Sequence, residues 1–594
     1  MPEYHVHFGG GSHELGRAVL ELLAEAGYDL PASCGGGGRC GQCRVKARGD
    51  GLTPAGEEER VLLGPDRLGE GWRLACRARV AGPAAVAWEG SDDTQPGKGF
   101  AESLRHAPLA PGVTRRRIRI PPVTAKDPRG DWERLTAALG SACRAELWPC
   151  LALAGLDRGR DEAEVVVGGG APLGLAAPGR LLGAVFDLGT TTVAGGLVDL
   201  EDGKILAVRS AFNAQRIYGA DVLARLGHAL GGPEGSRALM ERIRGQVRAM
   251  LLALLGDAGA APANVADLVL VGNTAMEHLF FGLDVSGLAA LPFVPVHQAG
   301  LSVPAAALDL PAHPGARVYF APNLAGFVGA DTVAGIVATN LPELPGPTLL
   351  VDLGTNGEMV LAREGRLWAC STAAGPAFEG AEISCGMGGL SGAIERVGLA
   401  EGDLSLETIG GAPPRGICGS GLIDAVAVLC EAGAVDVTGR LQAEGVSAPL
   451  AARIRPGTRG AEVLLARHGG REVVLTQGDI RQVQLAKGAI AAGARLLCKH
   501  AGIEPGGLER VFLAGAFGRY VDADKAARIG LLPGIPPERV RAVGNAAGEG
   551  ARLMLTNAAC RAEAEGLTGR VEVLELAADP EFQTVFAEEM LFPV

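Results

Sequence analysis

A nine-residue pattern that occurs twice constrains this chain more than any other feature. Ala184-Val185-Phe186-Asp187-Leu188-Gly189-Thr190-Thr191-Thr192 is echoed 165 positions later by Leu349-Leu350-Val351-Asp352-Leu353-Gly354-Thr355-Asn356-Gly357. Each copy is an apolar run ending in Asp-Leu-Gly-Thr. Each continues into a second strand-like run, Val193 to Val198 and Glu358 to Ala362, and then a turn at Asp202-Gly203-Lys204 or Glu364-Gly365-Arg366. One such tetrapeptide arises easily by chance; two in the same strand–turn–strand setting do not. The repeat predicts a duplicated α/β domain with a cleft between its halves.

The residues at these turns suit phosphate. Asp187 and Asp352 offer hard oxygen ligands for a hydrated Mg²⁺. Gly189 and Gly354 let the backbone approach closely, and the amides that follow, through Asn356 and Gly357, form an anion-binding nest. The hydroxyls of Thr190, Thr191, Thr192 and Thr355 can donate to phosphate oxygens. Two facing hairpins would grip the β- and γ-phosphates of a nucleotide from both sides, the two aspartates sharing the metal. No Gly-x-x-x-x-Gly-Lys-Ser/Thr sequence is present, so this is not a P-loop. Glu358, just after the second hairpin, either orients an attacking water, supports a ligand from behind or is a solvated strand residue.

Four cysteines near the N-terminus carry the second chemistry. Cys34, Cys40 and Cys43 read C-x5-C-x2-C, and Cys76 follows after 32 intervening residues. Gly35 to Gly38 make up all of the first interval but Arg39, as a loop requires if its amides are to face bridging sulfides with no Cβ in the way. Four thiolates at this spacing suit a [2Fe–2S] cluster. Zinc ribbons prefer two C-x2-C pairs, and only Cys40 and Cys43 form one here. The segment around them resembles ferredoxins over roughly residues 1–90, in a C-x5-C-x2-C variant of the plant spacing. Tyr4 to Phe8 alternates like a strand, and Ser12 is expected to cap a helix with Leu15, Val19, Leu20, Leu22 and Leu23 on its apolar face. The other eight cysteines are scattered and mostly set among apolar residues; Cys385 and Cys418 stand out only for lying in glycine-rich loops.

A chain of 594 residues exceeds what one core organises. The divisions expected are an iron–sulfur domain over 1–90, a linker over 91–120, a small middle domain over 121–180 and one long α/β region over 181–594. The middle domain should hold a helix from Trp132 to Ala145 and a strand at Glu164 to Val167. Net charge is −12, and the one basic run, Arg115-Arg116-Arg117, is too short for a nucleic-acid surface. No stretch of eighteen apolar residues signals a membrane span. With Met1-Pro2-Glu3-Tyr4 leading straight into the first strand, a cytoplasmic location is expected.

The paired hairpins resemble those of the acetate kinase, sugar kinase, DnaK and actin superfamily, a duplicated ribonuclease H-like ATPase fold. Val511 to Gly518, a strand entering a small-residue turn, sits where that superfamily contacts adenosine, so the resemblance implies nucleotide contact by Gly515 and Gly518. From end to end the chain resembles reductive activators of corrinoid proteins. That family joins a β-grasp [2Fe–2S] domain, a linker, a middle domain and an actin-like ATPase domain. Beyond the shared fold the resemblance rests on Asn213 to Val222, Gly272 to Met276, Asp352 to Glu358, Ile417 to Gly421 and Leu513 to Gly518. Asn213 to Val222 is in itself either a partner surface, a wall of the active site or a capped helix start.

The resemblance implies that ATP drives one electron from the cluster onto Co(II) of a corrinoid on a partner protein, with an upstream electron donor and a homodimeric enzyme. The chemistry is coherent. Plant-type centres sit near roughly −400 mV, and each ~59 mV of one-electron mismatch is about a tenfold penalty, which a nucleotide-driven conformational change can offset. No Asp-x-His-x-x-Gly cobalamin motif occurs, so the corrinoid belongs to the partner. Three other readings remain: an activator of 2-hydroxyacyl-CoA dehydratases, a sugar or acetate kinase with an appended ferredoxin domain, and a plain binding module.

Overall fold

Two sheets of the same design organise the long α/β region in the computed structural model, which describes residues 3–25, 30, 36–38, 41, 43–89, 104–120, 122–159, 162–380, 382–457, 460–515 and 521–593. In the first, Leu182–Leu188, Thr192–Asp199 and Ile205–Phe212 form an antiparallel meander. Val265–Gly272 joins it parallel to Leu182–Leu188, and Arg317–Phe320 lies parallel beyond that. The second sheet repeats this plan. Thr348–Leu353, Gly357–Arg363 and Arg366–Thr372 make the meander, and Arg510–Ala514 and Val540–Gly544 add in parallel on the Thr348–Leu353 side. Each sheet gains one further edge strand, for a total of six. The two Asp-Leu-Gly-Thr segments occupy equivalent places, each at the turn between the first two strands of its meander.

The central strands are mostly apolar, as strands covered on both faces tend to be; every residue of Leu182–Leu188, Thr192–Asp199 and Val265–Gly272 is buried, Asp187, Thr192, Asp199 and Asp267 among them. The halves are not independent in sequence. The helix Ala546–Thr556, which follows Val540–Gly544 of the second sheet, packs on the first sheet and against the helix Ala330–Thr339. At that crossing a Cβ on Gly550 would stand 2.0 Å from the Ala334 carbonyl oxygen, so glycine is what lets the two backbones meet.

The N-terminal domain is a four-stranded sheet in the order Glu3–Phe8, Ala84–Glu89, Arg44–Arg48, Trp72–Leu74, with its own core around Val19, Leu23, Val45 and Leu74. Its helix is shorter than the apolar spacing suggests. It spans Val19–Glu25, because Gly16 takes φ 79° and Ala18 bridges to Arg79; Ser12 caps nothing there, and Leu15 is exposed. Glu59 is buried in this domain, paired with Arg73 at 2.9 Å and accepting the amides of Leu74 and Gly56.

Between these parts stands a three-stranded sheet of Val113–Arg119, Glu162–Gly168 and Ala171–Leu175, cored by Ile120, Trp132, Leu135, Leu153, Val165 and Val167. Its edge strand contains the arginine triplet and so corrects the expectation of a linker there: three charged residues masked a strand that pairs on one side only. The expected helix to Ala145 stops at Leu139, as Asp131–Leu139, because Gly140 caps it in the left-handed conformation at φ 64°; a second helix, Leu147–Leu151, begins beyond the expected run. Among the described residues no helix is long and apolar enough to cross a membrane.

Candidate functional site

Both hairpin turns open on one cleft. Asp187, Gly189, Thr190, Thr191 and Thr192 line it from the first sheet, and Asp352, Gly354, Thr355, Asn356 and Glu358 from the second, with Gly515 at its edge. Gly357 lies next to the cleft, its Cβ position filled by Thr372 and Ile490. Gly518 falls outside the described residues. Close approach explains two of the glycines. A Cβ on Gly189 would meet the Thr192 carbonyl at 2.5 Å, and one on Gly515 would meet the Leu353 carbonyl at 2.4 Å and an Asp352 carboxylate oxygen at 3.0 Å.

The halves touch through hydroxyls. Thr191 Oγ1 and Thr355 Oγ1 are 2.9 Å apart, and both donate to Glu379 Oε2, at 2.7 and 2.6 Å. Asn545 Nδ2 donates to Asp187 Oδ2 at 3.0 Å, and Asn273 Nδ2 donates to Thr190 Oγ1 at 2.9 Å. Both asparagines also cap the helices that begin there. Asp331 enters the cleft from the first turn of Ala330–Thr339. Glu379, Asp331 and Asn545 form part of the site with no motif to announce them; Asn273 lies in the Gly-Asn-Thr turn that the sequence does mark.

The cleft gathers negative charge. Burial, with Asp187 adding its charge, pushes the Asp331 carboxyl up to about 7. Burial, then Asp331 and Asp352, push Glu358 well above the usual carboxylate range. Glu358 sits directly opposite Asp352 in the register and accepts from Ser371 at 3.4 Å. Burial first, and the neighbouring charges after it, favour the protonated forms of Asp331 and Glu358; among the described residues no three His, Cys, Asp or Glu side chains stand close enough together to hold a metal ion in this arrangement.

Behind the first hairpin lies a fully buried polar frame. Asn213, Gln215 and Arg225 are all 0% exposed. Asn213 donates its backbone amide to the Thr191 carbonyl and its side-chain amide to the Gly189 carbonyl, both at 2.8 Å. Arg225 Nη2 donates to the Thr190 carbonyl at 2.6 Å. The stretch from Asn213 is therefore a support of the cleft wall. His278 and His297 stack with ring centroids 6.1 Å apart; His278 is buried against the Thr274 carbonyl, outside the cleft.

Of the four N-terminal cysteines, Cys43 and Cys76 are described, and Cys34 and Cys40 lie outside the described residues. Cys43 and Cys76 are both buried in one core, and the Ala75 amide donates to the Cys43 carbonyl at 2.8 Å, so the two stand on adjoining strand ends. Gly36, at φ 80°, passes over Cys76; a Cβ there would be 3.9 Å from the Cys76 Cβ. A tight glycine loop over buried thiols fits a sulfide-bridged cluster.

Comparison with known proteins agrees part by part. Residues 13–81 match the 2Fe-2S iron-sulfur cluster binding domain, 182–343 the RACo middle region and 346–594 the C-terminal domain of RACo, the ASKHA domain. The corrinoid activation enzyme RamQ of Eubacterium limosum is 32% identical over 590 residues, covering 97% of this chain and 96% of that one. The chain belongs to the family of reductive activators of corrinoid proteins. A solved reductive activator for corrinoid, iron-sulfur protein superposes with a TM-score of 0.75 at 31% identity, over 97% of this chain and 95% of that one. The [Co(II) methylated amine-specific corrinoid protein] reductase of Methanosarcina barkeri is 27% identical over 387 residues, 60% of this chain and 66% of that one. This chain thus joins a 2Fe–2S domain near its N-terminus to a C-terminal actin-like ATPase domain.

Proposed function

We infer that the protein is an ATP-dependent reductase that restores Co(I) on a corrinoid protein. The observation that carries this reading is the 32% identity with a corrinoid activation enzyme over 97% of this chain and 96% of that one. Cys34, Cys40, Cys43 and Cys76 are the proposed ligands of the cluster. Asp187 and Asp352 are the proposed Mg²⁺ ligands, the glycines and threonines of both hairpins the phosphate contacts, and Glu358 the residue that orients water for hydrolysis. The cluster supplies a one-electron donor of low potential, and the nucleotide with its cation supplies the driving force.

The protein's own share is conformational. Thr191, Thr355 and Glu379 tie the two halves together across the place where the phosphates would lie, so the state of the nucleotide sets how the halves close. A closure that favours one geometry of the complex with the partner can shift an unfavourable electron transfer by its differential binding energy. The same reading includes a separate electron donor that reduces the cluster, a cytoplasmic enzyme and a homodimer; light scattering of the purified protein tests the last. The proposed working units are 1–90, a middle unit that takes in the strand Val113–Arg119 together with 121–180, and 181–594.

The test is to mix the reduced protein with Co(II) corrinoid proteins, with and without MgATP, and to follow the Co(I) absorbance. Co(I) formed only with MgATP supports the reading. Absence of Co(I) from every partner, together with phosphorylation of a sugar, would assign the fold to a kinase instead.

A further inference from the structure

Among the described residues, a short segment touches the first phosphate hairpin at one end and the iron–sulfur domain at the other. At its first end, Asn213 clasps the hairpin through the carbonyls of Gly189 and Thr191. Its body is the 3₁₀ turn Ala214–Ile217. Gln215 fixes that turn from inside, receiving nothing from solvent: its amide donates to Asn213 Oδ1 at 2.9 Å, its side chain donates to the Leu239 carbonyl at 2.9 Å, and Arg225 donates to its Oε1 at 3.4 Å. Arg225 in turn holds the Thr190 carbonyl, so hairpin and turn share one buried guanidinium.

The far end of the segment meets the iron–sulfur domain. Arg216 Nη2 donates to the Leu30 carbonyl at 3.1 Å, with its guanidinium stacked over Phe212 at 4.4 Å. Ile217 packs on the core that contains Cys43 and Cys76. Its carbonyl oxygen lies 3.5 Å from where a Cβ of Gly36 would be, in the glycine loop beside Cys76. Four residues of 3₁₀ turn span only about 8 Å, and the segment is held by buried hydrogen bonds at Gln215 and by part-buried ones at Asn213, Ala214 and Arg216.

We propose that Asn213–Ile217 is a strut that passes the state of the first phosphate hairpin to the cysteine-loop face of the iron–sulfur domain, with Arg216 and Ile217 as its positioning residues. The inference rests on the functional reading above, in that it takes the cleft to bind ATP. It adds the route by which the nucleotide is felt at the electron donor. Coupling through a packed, hydrogen-bonded element with fixed ends acts in both directions.

The experiment is hydrogen exchange on the full-length reconstituted protein with and without a non-hydrolysable ATP analogue and Mg²⁺. In the wild type the analogue should slow exchange at the hairpins, 187–192 and 352–358, and also in the iron–sulfur segments 19–25 and 74–80, the latter by on the order of fivefold or more. In Ile217→Ser and Arg216→Ala the hairpins should still be protected while the iron–sulfur segments lose most of their response; Ile217→Val should restore it. Protection confined to the hairpins in the wild type, or a full iron–sulfur response in both variants, overturns the strut. No protection at the hairpins themselves removes the ATP reading and the coupling with it. Persistent coupling in a protein that yields no Co(I) would leave the strut standing and sink the corrinoid assignment.

Discussion

Thr191 and Thr355, 164 residues apart in the chain, stand 2.9 Å from each other and donate to the same oxygen of Glu379. Each threonine follows an Asp-Leu-Gly turn of its own half, so their contact is the seam of the duplicated domain. Hydrogen bonds to a charged acceptor contribute roughly 1.5–3 kcal/mol each. Thr191→Val and Thr355→Val should each lower the turnover of ATP hydrolysis about tenfold or more. The double variant should fall short of the sum, with a coupling of about 0.5–3 kcal/mol in a double-mutant cycle.

Asp331 gives the cleft a pH dependence with a definite sign. Its carboxyl titrates near 7 in the fold, far above its ordinary value of 3.8. The folded protein thus holds a proton that the unfolded chain releases, and this group's contribution to stability declines as pH rises from about 4 to 7. Asp331→Asn should therefore raise the melting temperature at pH 8 in the absence of Mg²⁺ while lowering ATPase activity. Mg²⁺ should narrow the stability difference, because it offsets the repulsion between Asp331 and Asp187.

In the iron–sulfur domain the sign is reversed. Burial opposes ionisation of Glu59, but Arg73 and the amides of Leu74 and Gly56 outweigh it and hold the carboxyl below its usual range. Its contribution is complete above the unfolded value of about 4.3 and is lost as pH falls through the folded one. Glu59→Gln leaves Arg73 without its buried partner, a change that costs about 3–5 kcal/mol in comparable pairs. The variant should lose its visible iron–sulfur absorbance at lower temperature than the wild type, Leu74 being two residues from Cys76.

Gly550 supplies a test of the domain packing. Glycine to alanine inside a helix normally stabilises by about 0.4–1 kcal/mol. Here the added methyl would press on the Ala334 carbonyl of the crossing helix, and overpacking of this kind costs roughly 1–3 kcal/mol. Gly550→Ala should lower the melting temperature, and an increase would show that the two helices are not held at this distance.

Much of the cleft is legible in the sequence, for a physical reason: a turn proposed to grip phosphate brings aspartate, glycine and hydroxyl within four positions, so Asp187 to Thr192 and Asp352 to Gly357 announce themselves locally. Glu379, Asp331 and Asn545 do not. Each reaches the cleft from a helix or turn brought in by the tertiary fold: Asp331 and Asn545 sit at helix starts, where a carboxylate or amide is ordinary capping chemistry, and Glu379 ends a single 3₁₀ turn. Asn213 illustrates the middle case. Its segment is recognisable as unusual, yet only the structure shows that it clasps Gly189 and Thr191. The strand Val113–Arg119 is hidden by its arginines because an edge strand needs few apolar residues, and the break at Gly140 is a backbone event that helical periodicity does not register.

The central claim, that nucleotide drives an electron from this chain's cluster to a partner's cobalt, is tested most directly by freeze-quench spin counting in a single turnover. Prereduced protein is mixed with a Co(II) corrinoid protein, and the cluster and Co(II) signals are quantified together. The account predicts that with MgATP the two signals disappear one for one, and that without nucleotide both persist. Loss of the Co(II) signal at the same rate without nucleotide, or with the cluster still reduced, would contradict it.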